Sequence, residues 1–196
     1  MTTAVTPTTE LEAVNLMLDV IGESPISSLN DSAVVDAVKA KAVLSEVSRA
    51  VQQKGWHFNT EKDYELVPTV FEKEIQLPGN FLRVDTVGPD KATDVVQRGN
   101  RLYDRRKHTY KFDKSLKVDM VVLLPFEELP EAARYYIAVR AARVFQARTV
   151  GSESLYQFTA EDERLALVDL KKAEGVTGDH NMFTGSWSVA KMLNRR

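Results

Sequence analysis

The feature that most constrains the fold is a change of hydrophobic period along the chain. Near the N-terminus Leu11, Val14, Leu18 and Ile21 recur at helical spacing, and helical spacing returns after residue 130. Between about residues 61 and 124, apolar and polar side chains alternate as they do in strands. Because helices and strands are segregated, the sequence predicts an α+β fold. We expect a helical bundle formed by the N- and C-terminal helices, with an inserted small antiparallel β-sheet module.

The same change of period predicts four segments. Residues 1–60 form the N-terminal helical part of the bundle, and residues 61–125 form the antiparallel β module. Residues 126–175 form the C-terminal helical part, and residues 176–196 form a loop and docking tail.

The N-terminal part carries clear helix boundaries. Thr9 and Glu12 have the spacing of a capping box, and Gly22 is suited to the left-handed residue that ends a helix. A second helix is predicted over Ser32–Gln53. Its stripe of small and apolar residues is Ala33, Ala37, Ala40, Leu44, Val47 and Val51.

Two helices are predicted after Pro130, which we place in the first helical turn. Ile137, Ala141, Val144 and Phe145 make the buried stripe of the first of them. Gly151 ends that helix, and Ser154 with Gln157 forms a capping-box pair that opens the next.

The middle of the chain predicts short antiparallel strands. Gly99-Asn100 lies between two β-prone runs, which is typical of a two-residue hairpin turn. A further turn is expected at Asp113–Ser115. The sets expected to share a face are Ile75 with Leu77, Leu82 with Val84, and Val118 with Met120 and Val122.

Composition excludes several classes of function. The chain has no cysteine, which excludes disulfides and thiolate chemistry and fits a reducing compartment. Its three histidines lie in separate segments, and it contains no P-loop or dinucleotide fingerprint. We therefore expect no metal, no cofactor and no catalytic residues. The start of the chain lacks the pattern of a signal peptide, and no run is long enough for a membrane span.

Carboxylates are the one plentiful catalytic material. Glu127, Glu128 and Glu131 cluster around Pro130, so a polysaccharide hydrolase is one alternative function. Acidic residues at the start of a helix are also explained by the helix dipole, which is the interpretation we favour.

Positive charge is concentrated in one segment. Residues 98–117 contain eight basic and two acidic residues, while the remainder contains 18 basic and 26 acidic ones. Arg101, Arg105, Arg106 and Lys107 are therefore candidate contacts with a neighbouring subunit, a protein partner or DNA. A DNA-binding module that uses this hairpin is a second alternative function. Arg140 and Arg143 on the third helix are further candidate subunit contacts.

Two aromatic residues, Trp56 and Phe58, lie where the second helix gives way to the first strand. Their alternation should place both rings on one side and His57 on the other. Large rings at such a junction bury much apolar area. We therefore interpret Trp56 and Phe58 as packing between the two modules.

Four strings in order resemble one known family. They are AVNLMLDVIGESPISSL (13–29), KGWHFN (54–59), QRGNRLYDR (97–105) and LPEAARYYIAVRAARVFQARTVG (129–151). Together they resemble tail tubular protein A of short-tailed, podovirus-type bacteriophages. The basic run at 105–117 and the C-terminal tail depart from the resemblance.

The resemblance implies a structural virion protein without catalytic residues, assembled in the host bacterial cytoplasm. Such proteins look like adaptors that form a dodecameric ring beneath the portal protein. The ring joins the portal to the nozzle, tail tubular protein B, and helps to seat the tail fibres. Double-stranded DNA would pass transiently through its channel at ejection.

Overall fold

The computed structural model describes residues 6–30, 34–151 and 153–177. The chain divides into two compact units, with boundaries at Leu44/Ser45 and Leu129/Pro130. We call the part up to Leu44 together with the part from Pro130 the helical unit, and residues 45–129 the β unit. Helices and antiparallel strands are segregated along the chain, which confirms the α+β prediction. The four-segment division remains a prediction.

The first helix, α1, spans Glu10–Asp19. The predicted capping box is present, because the Thr9 side chain accepts from the backbone of Glu12 and the Glu12 side chain accepts from Thr9. The buried face is Ala13, Val14, Met17 and Leu18. The predicted stripe was thus partly wrong, since Leu11 and Ile21 are only partly buried. The pairs at i and i+4 rotate the face toward Ala13 and Met17.

The second helix, α2, spans Val35–Gln52, and the unit boundary falls within it. The predicted stripe is confirmed where it is described, at Ala37, Ala40, Leu44, Val47 and Val51. Ala33 lies outside the described residues. Gly55 follows the helix with a φ of +77°, a conformation that favours glycine.

The C-terminal helices are α3, Glu131–Thr149, and α4, Glu153–Thr177. α3 packs against both α1 and α4, so it is buried over most of its circumference rather than along one stripe. Ile137, Ala141 and Phe145 are buried as predicted, while Val144 is only partly buried.

Two boundary predictions near these helices were wrong. Pro130 is the residue before the helix, with an extended ψ of 149°, and not part of its first turn. Ser154 lies inside α4 because that helix already begins at Glu153. The tail predicted over residues 176–196 remains a prediction, because α4 extends to Thr177 and residues 178–196 lie outside the described part of the chain.

The β unit contains five strands, named in chain order. They are β1 Thr60–Leu66, β2 Phe81–Thr86, β3 Val95–Arg98, β4 Arg101–Asp104 and β5 Leu116–Val122. β1 and β2 flank β5 in an antiparallel sheet, and β3 pairs with β4. The predicted hairpin is confirmed, because Gly99 has a φ of +62° between β3 and β4.

Side-chain alternation in this unit is confirmed in part. Ile75 and Leu77 are buried, although isolated bridges rather than a strand hold their backbone. The Leu82–Val84 pair was wrong: an irregularity in register between Phe81 and Arg83 shifts the pleat, so Leu82 is only partly buried. The core consists of Leu66, Ile75, Leu77, Phe81, Val84, Val95, Leu102, Phe112, Leu116, Val118 and Met120, with Val122 packed beside it.

None of the helices in the described ranges is both long enough and apolar enough to cross a membrane.

Candidate functional site

A turn rich in cations follows strand β4, and we call Arg105, Arg106, Lys107 and His108 the cationic turn. Asp104 is buried at its base and accepts hydrogen bonds from the backbone N–H groups of Arg106 (2.8 Å) and Lys107 (2.9 Å). Asp104 and Thr109 also exchange two backbone hydrogen bonds. An aspartate that accepts from the backbone two residues later is a standard way to stabilise a turn. The backbone of the turn is therefore fixed by hydrogen bonds to Asp104.

The cations of this turn are mostly available to a partner. Arg105 lies 3.5 Å from Asp94, an ion pair in which both side chains are well exposed and which contributes little. Arg106 and Lys107 are exposed, and among the described residues neither lies within ion-pairing distance of an acidic side chain, although Lys107 attracts Asp113 at longer range. Asp104 thus fixes the backbone of two residues whose cationic side chains are exposed to solvent.

Arg101, in contrast, is engaged within the β unit. Its guanidinium donates to Glu74 at 2.9 Å and lies 4.3 Å from the centre of the Tyr110 ring. The hydrogen bond to Glu74 raises the pKa of Arg101 above its ordinary value. Arg98 lies over Tyr103, and the two tyrosine rings contact each other edge to face with centres 4.9 Å apart. Arginines thereby contact both rings, which leaves less ring surface for stacking bases.

The two arginines of α3 converge on one carboxylate of α4. Arg140 donates to one oxygen of Glu163 at 2.9 Å and to the Tyr136 hydroxyl at 3.1 Å, and Arg143 donates to the other Glu163 oxygen. Glu163 is buried, and both guanidinium groups are largely shielded from water. Their position makes them a clamp between two helices of the helical unit.

Trp56 and Phe58 lie in the β unit as a stacked pair. Their ring centres are 6.4 Å apart with planes 6° from parallel, both are partly buried, and His57 is exposed. The Trp56 indole donates to the Val51 carbonyl at 2.8 Å. The backbone forms a short 3-10 turn, His57–Asn59, rather than an extended strand. Packing of these rings between the modules remains a prediction.

A buried amide pair beside these rings was missed by sequence reasoning. The Gln52 side chain donates to the carbonyl of Leu124 (3.0 Å) and accepts from its N–H (2.8 Å). The Asn59 amide donates to the carbonyls of Gln52 and Val122, both at 2.9 Å. Both side chains are buried, so they satisfy backbone groups that water cannot reach. At Gln52 the available signal was a polar residue directly after Val51, the last residue of the apolar stripe of α2.

The three predicted carboxylates have different surroundings, Glu127 and Glu128 in the β unit and Glu131 in the helical unit. Glu131 accepts two hydrogen bonds from Thr8, at 2.6 and 2.7 Å, so it holds the N-terminal segment. Glu127 and Glu128 are exposed on a short 3-10 turn, Phe126–Glu128. A glycosidase needs two carboxyls facing one desolvated pocket, whereas Glu127 and Glu128 are exposed and the Glu131 carboxylate is engaged with Thr8.

The structure pairs two other acidic residues that sequence reasoning did not consider. Asp85 on β2 lies directly opposite Asp119 on β5, beside a shallow pocket that Thr60 and Arg83 also line. Asp119 accepts from the Asp63 N–H at 3.0 Å, and Asp85 is exposed. Their separation in sequence hid this pair. Among the described residues, no group of three or more side chains could hold a metal ion.

Comparison with known proteins gives two consistent matches. The model of a protein family described as tail tubular protein matches residues 11–180. Tail tubular protein A of Klebsiella phage KP34 is 32% identical over 164 residues, covering 83% of this chain and 86% of that relative.

Proposed function

This chain belongs to the tail tubular protein family, whose members are structural proteins of the phage tail, and from that premise we propose a specific role. The chain is an adaptor in the virion tail that joins the portal protein to the tail nozzle, tail tubular protein B. Copies form a dodecameric ring, contact the tail fibres and enclose part of the DNA ejection channel. Assembly takes place in the host bacterial cytoplasm, and the role is structural rather than enzymatic.

The observation that carries this proposal is the cationic turn. Copies in a ring meet head to tail, so each needs two different surfaces that complement each other. A buried Asp104 holds the turn that presents Arg106 and Lys107, and neither side chain forms a close ion pair among the described residues. Exposed acidic side chains on α4, such as Asp162, offer the opposite charge. Complementary charge of this kind aligns two protein surfaces and speeds their encounter.

The same geometry favours passing contact with DNA over tight binding. Arg101 is already paired with Glu74, so it has less to offer a phosphate. Because each phosphate neutralised adds about 0.9 to the slope of log K against log[salt], a protein that neutralises two or three phosphates has a total slope of about 2 to 3, well below that of a protein with six to ten such contacts. A weak interaction would let DNA move through a channel, which suits an ejection conduit.

Mixing the purified chain with portal protein tests the proposal. Negative-stain images and light scattering should show rings on the portal, assembling less readily at high salt. The variant Arg106→Ala/Lys107→Ala should weaken this assembly. Lys62→Ala/Lys91→Ala removes two exposed cations elsewhere in the β unit and serves as the control. A chain that stays monomeric and never binds portal would contradict the adaptor role. Equal assembly of both double variants would contradict the role of the turn.

A further inference from the structure

Strand β1 has an open edge and, over most of its length, no covered face. It pairs with β5 alone, and in the described part of the chain the backbone of Glu61–Leu66 forms no hydrogen bond with any other segment. Residues 61–65 are all exposed, whereas a strand of an antiparallel sheet ordinarily covers a core with one face. Unpaired N–H and C=O groups along such an edge are a template for another strand.

An irregularity limits where a strand can add to this edge. The register with β5 shifts between Glu61 and Tyr64, and Asp63 between them has a φ of +52°. Irregularities of this kind protect an edge against indiscriminate pairing. The regular part of the open edge therefore begins at Tyr64 and runs toward Val67.

Apolar side chains are exposed from this point onward. We call Tyr64, Val67, Val70 and Phe71 the edge patch, and their exposed fractions are 48%, 70%, 86% and 97%. Single exposed apolar residues are normal, but four within eight consecutive positions concentrate apolar surface in one short segment. A phenyl ring left almost wholly in water indicates a surface that a partner covers.

The segment that carries the edge patch has a fixed shape. Thr69 accepts from the Lys73 N–H (3.0 Å) and donates its own N–H to the Glu74 carbonyl (2.9 Å). The Lys73 carbonyl accepts from the Phe112 N–H at 2.8 Å, which fastens the loop to the core of the β unit. A loop already ordered before binding loses little conformational freedom when a partner docks on it. The edge patch is therefore suited to accept a partner.

The chain's own C-terminal segment has the sequence of a matching strand. Of the stretches outside the described ranges, 178–196 alone is long enough to supply a strand and a linker to it. Its residues 183–189 read FTGSWSV, in which Phe183, Trp187 and Val189 lie at odd-numbered positions and hydroxyl residues occupy the even-numbered ones. This alternation is typical of a strand with one apolar face.

The length and area of this segment also fit. α4 ends at Thr177, so the six residues up to Phe183 span up to about 20 Å when extended, roughly two helix diameters. The segment is thus long enough to reach another copy. Phe183 and Trp187 together bring roughly 300–500 Å² of side-chain surface. That is a large part of the roughly 800 Å² that each partner buries in a standard interface.

We propose that residues 183–189 of one copy add as a strand to the open edge of β1 in a second copy and cover the edge patch. Strand addition supplies main-chain hydrogen bonds to the edge, and the alternate apolar side chains contact the patch. The contact rests on the proposed ring, because a head-to-tail interface needs a donor on one side of the subunit and an acceptor on the other.

A double-variant comparison tests whether the patch and the segment contact each other. Phe71→Ser and Trp187→Ser should each raise the concentration needed for ring assembly about tenfold, because each removes one side of a central contact. Their combination should raise it no further than either alone, since the same contact is lost. Val35→Ser, at a position 63% exposed on α2, is the control and should assemble as the parent chain does. Sedimentation follows assembly, and thermal unfolding checks that each variant is folded.

Cross-linking between copies tests the pairing directly, because the chain contains no cysteine of its own. Phe71→Cys and Ser186→Cys are purified separately, mixed under ring-forming conditions and treated with a short bismaleimide. We expect a linked pair of the two variants, because Ser186 is next to Trp187 in the segment that covers Phe71. Val35→Cys mixed with Ser186→Cys is the matched control and should stay unlinked.

The outcomes separate this contact from the adaptor role. Rings in which the two serine substitutions act additively, or in which the Phe71–Ser186 cross-link is absent, would overturn the contact and leave the adaptor standing. Normal self-association of Trp187→Ser with lost portal binding would show that the segment docks on the portal, which also overturns the contact. A parent chain that never forms rings, even with portal, would overturn both.

Discussion

The β unit and the helical unit differ in how each is packed internally. The β unit is one continuous segment, 45–129, with a core of large side chains such as Leu102 and Phe112. The helical unit joins segments from either side of that stretch and buries alanines together with Tyr136, Ile137 and Phe145 along α3, with an arginine–glutamate clamp between α3 and α4. The comparison shows that the β unit is completed within one continuous stretch of chain, although β1 and β2 both pair with the distant β5, whereas the helical unit needs segments from either side of that stretch.

The largest expected effect is in the core of the β unit. Leu102 is fully buried on β4, so Leu102→Ala should lower the free energy of unfolding by about 3–5 kcal/mol. The chain has two tryptophans, and Trp56 belongs to the β unit. In a Trp187→Phe background, denaturant titration followed by fluorescence therefore reports on that unit. Leu102→Met, which conserves volume, should cost less than about 1.5 kcal/mol.

The matching change in the helical unit is Glu163→Gln. It leaves Arg140 and Arg143 without their shared anion, so we expect a loss of about 2–4 kcal/mol, reduced from that of a fully buried pair by partial exposure. Amide hydrogen exchange should become faster in α3 and α4 than in the parent chain, and the increase should be smaller in the strands. Equal acceleration in both units would mean that they unfold as one, which would remove the distinction drawn above.

Gly55 tests how closely the turn after α2 approaches the sheet within the β unit. A Cβ there would lie 2.7 Å from the Arg83 guanidinium and 3.0 Å from Val121, at a positive φ. Gly55→Ala should therefore destabilise by about 2–3 kcal/mol, from backbone strain and overpacking together. Gly99→Ala has a similar φ and open space around its Cβ, so it should cost only about 1 kcal/mol. Similar losses from both, measured by urea unfolding, would contradict the close approach.

The smallest expected effect depends on pH. The Lys114 ammonium and the Lys117 N–H both donate to the buried Asp90, and the hydrogen bond from Lys114 is the main cause of its lowered pKa. A carboxyl whose pKa is lower in the folded state stabilises the fold above its ordinary pKa of 3.8, and that stability is lost as the pH falls below it. Asp90→Asn should cost about 1–2 kcal/mol near pH 7.

The control for Asp90 is the pH dependence itself. The difference between the parent chain and Asp90→Asn, measured as urea midpoints, should shrink steadily as the pH is lowered toward about 3. A difference that stays constant across this range would show that the loss comes from altered packing, not from the charge.

Sequence reasoning succeeded where a signal was local. The Thr9–Glu12 capping box, the Gly99-Asn100 hairpin and the α2 stripe each depend on residues a few positions apart, and all three are confirmed. It failed where a neighbour elsewhere in the chain decides the outcome. The face of α1 and the wide burial of α3 depend on how the two helices pack, which spacing alone does not contain.

The candidate site shows the same division. The cationic turn could be predicted because its charges are adjacent in sequence, but the backbone hydrogen bonds that the buried Asp104 accepts could not. Arg101 and Arg140 looked equivalent to Arg106, and only the fold gives the first two their partners, Glu74 and Glu163. The exposure of Val70 and Phe71 was not predicted, since a Val-Phe pair in a β region ordinarily belongs to a core.

The interrupted construction of the helical unit also has a consequence during synthesis. α1 leaves the ribosome long before its packing partner α3, and the whole β unit is translated between them. We expect the sheet to reach its native form on the nascent chain, whereas α1 lacks its packing partner until the last third of the chain has been translated. A prematurely terminated product would then contain a folded sheet and an incomplete helical unit. A folded helical unit would therefore indicate that translation was completed.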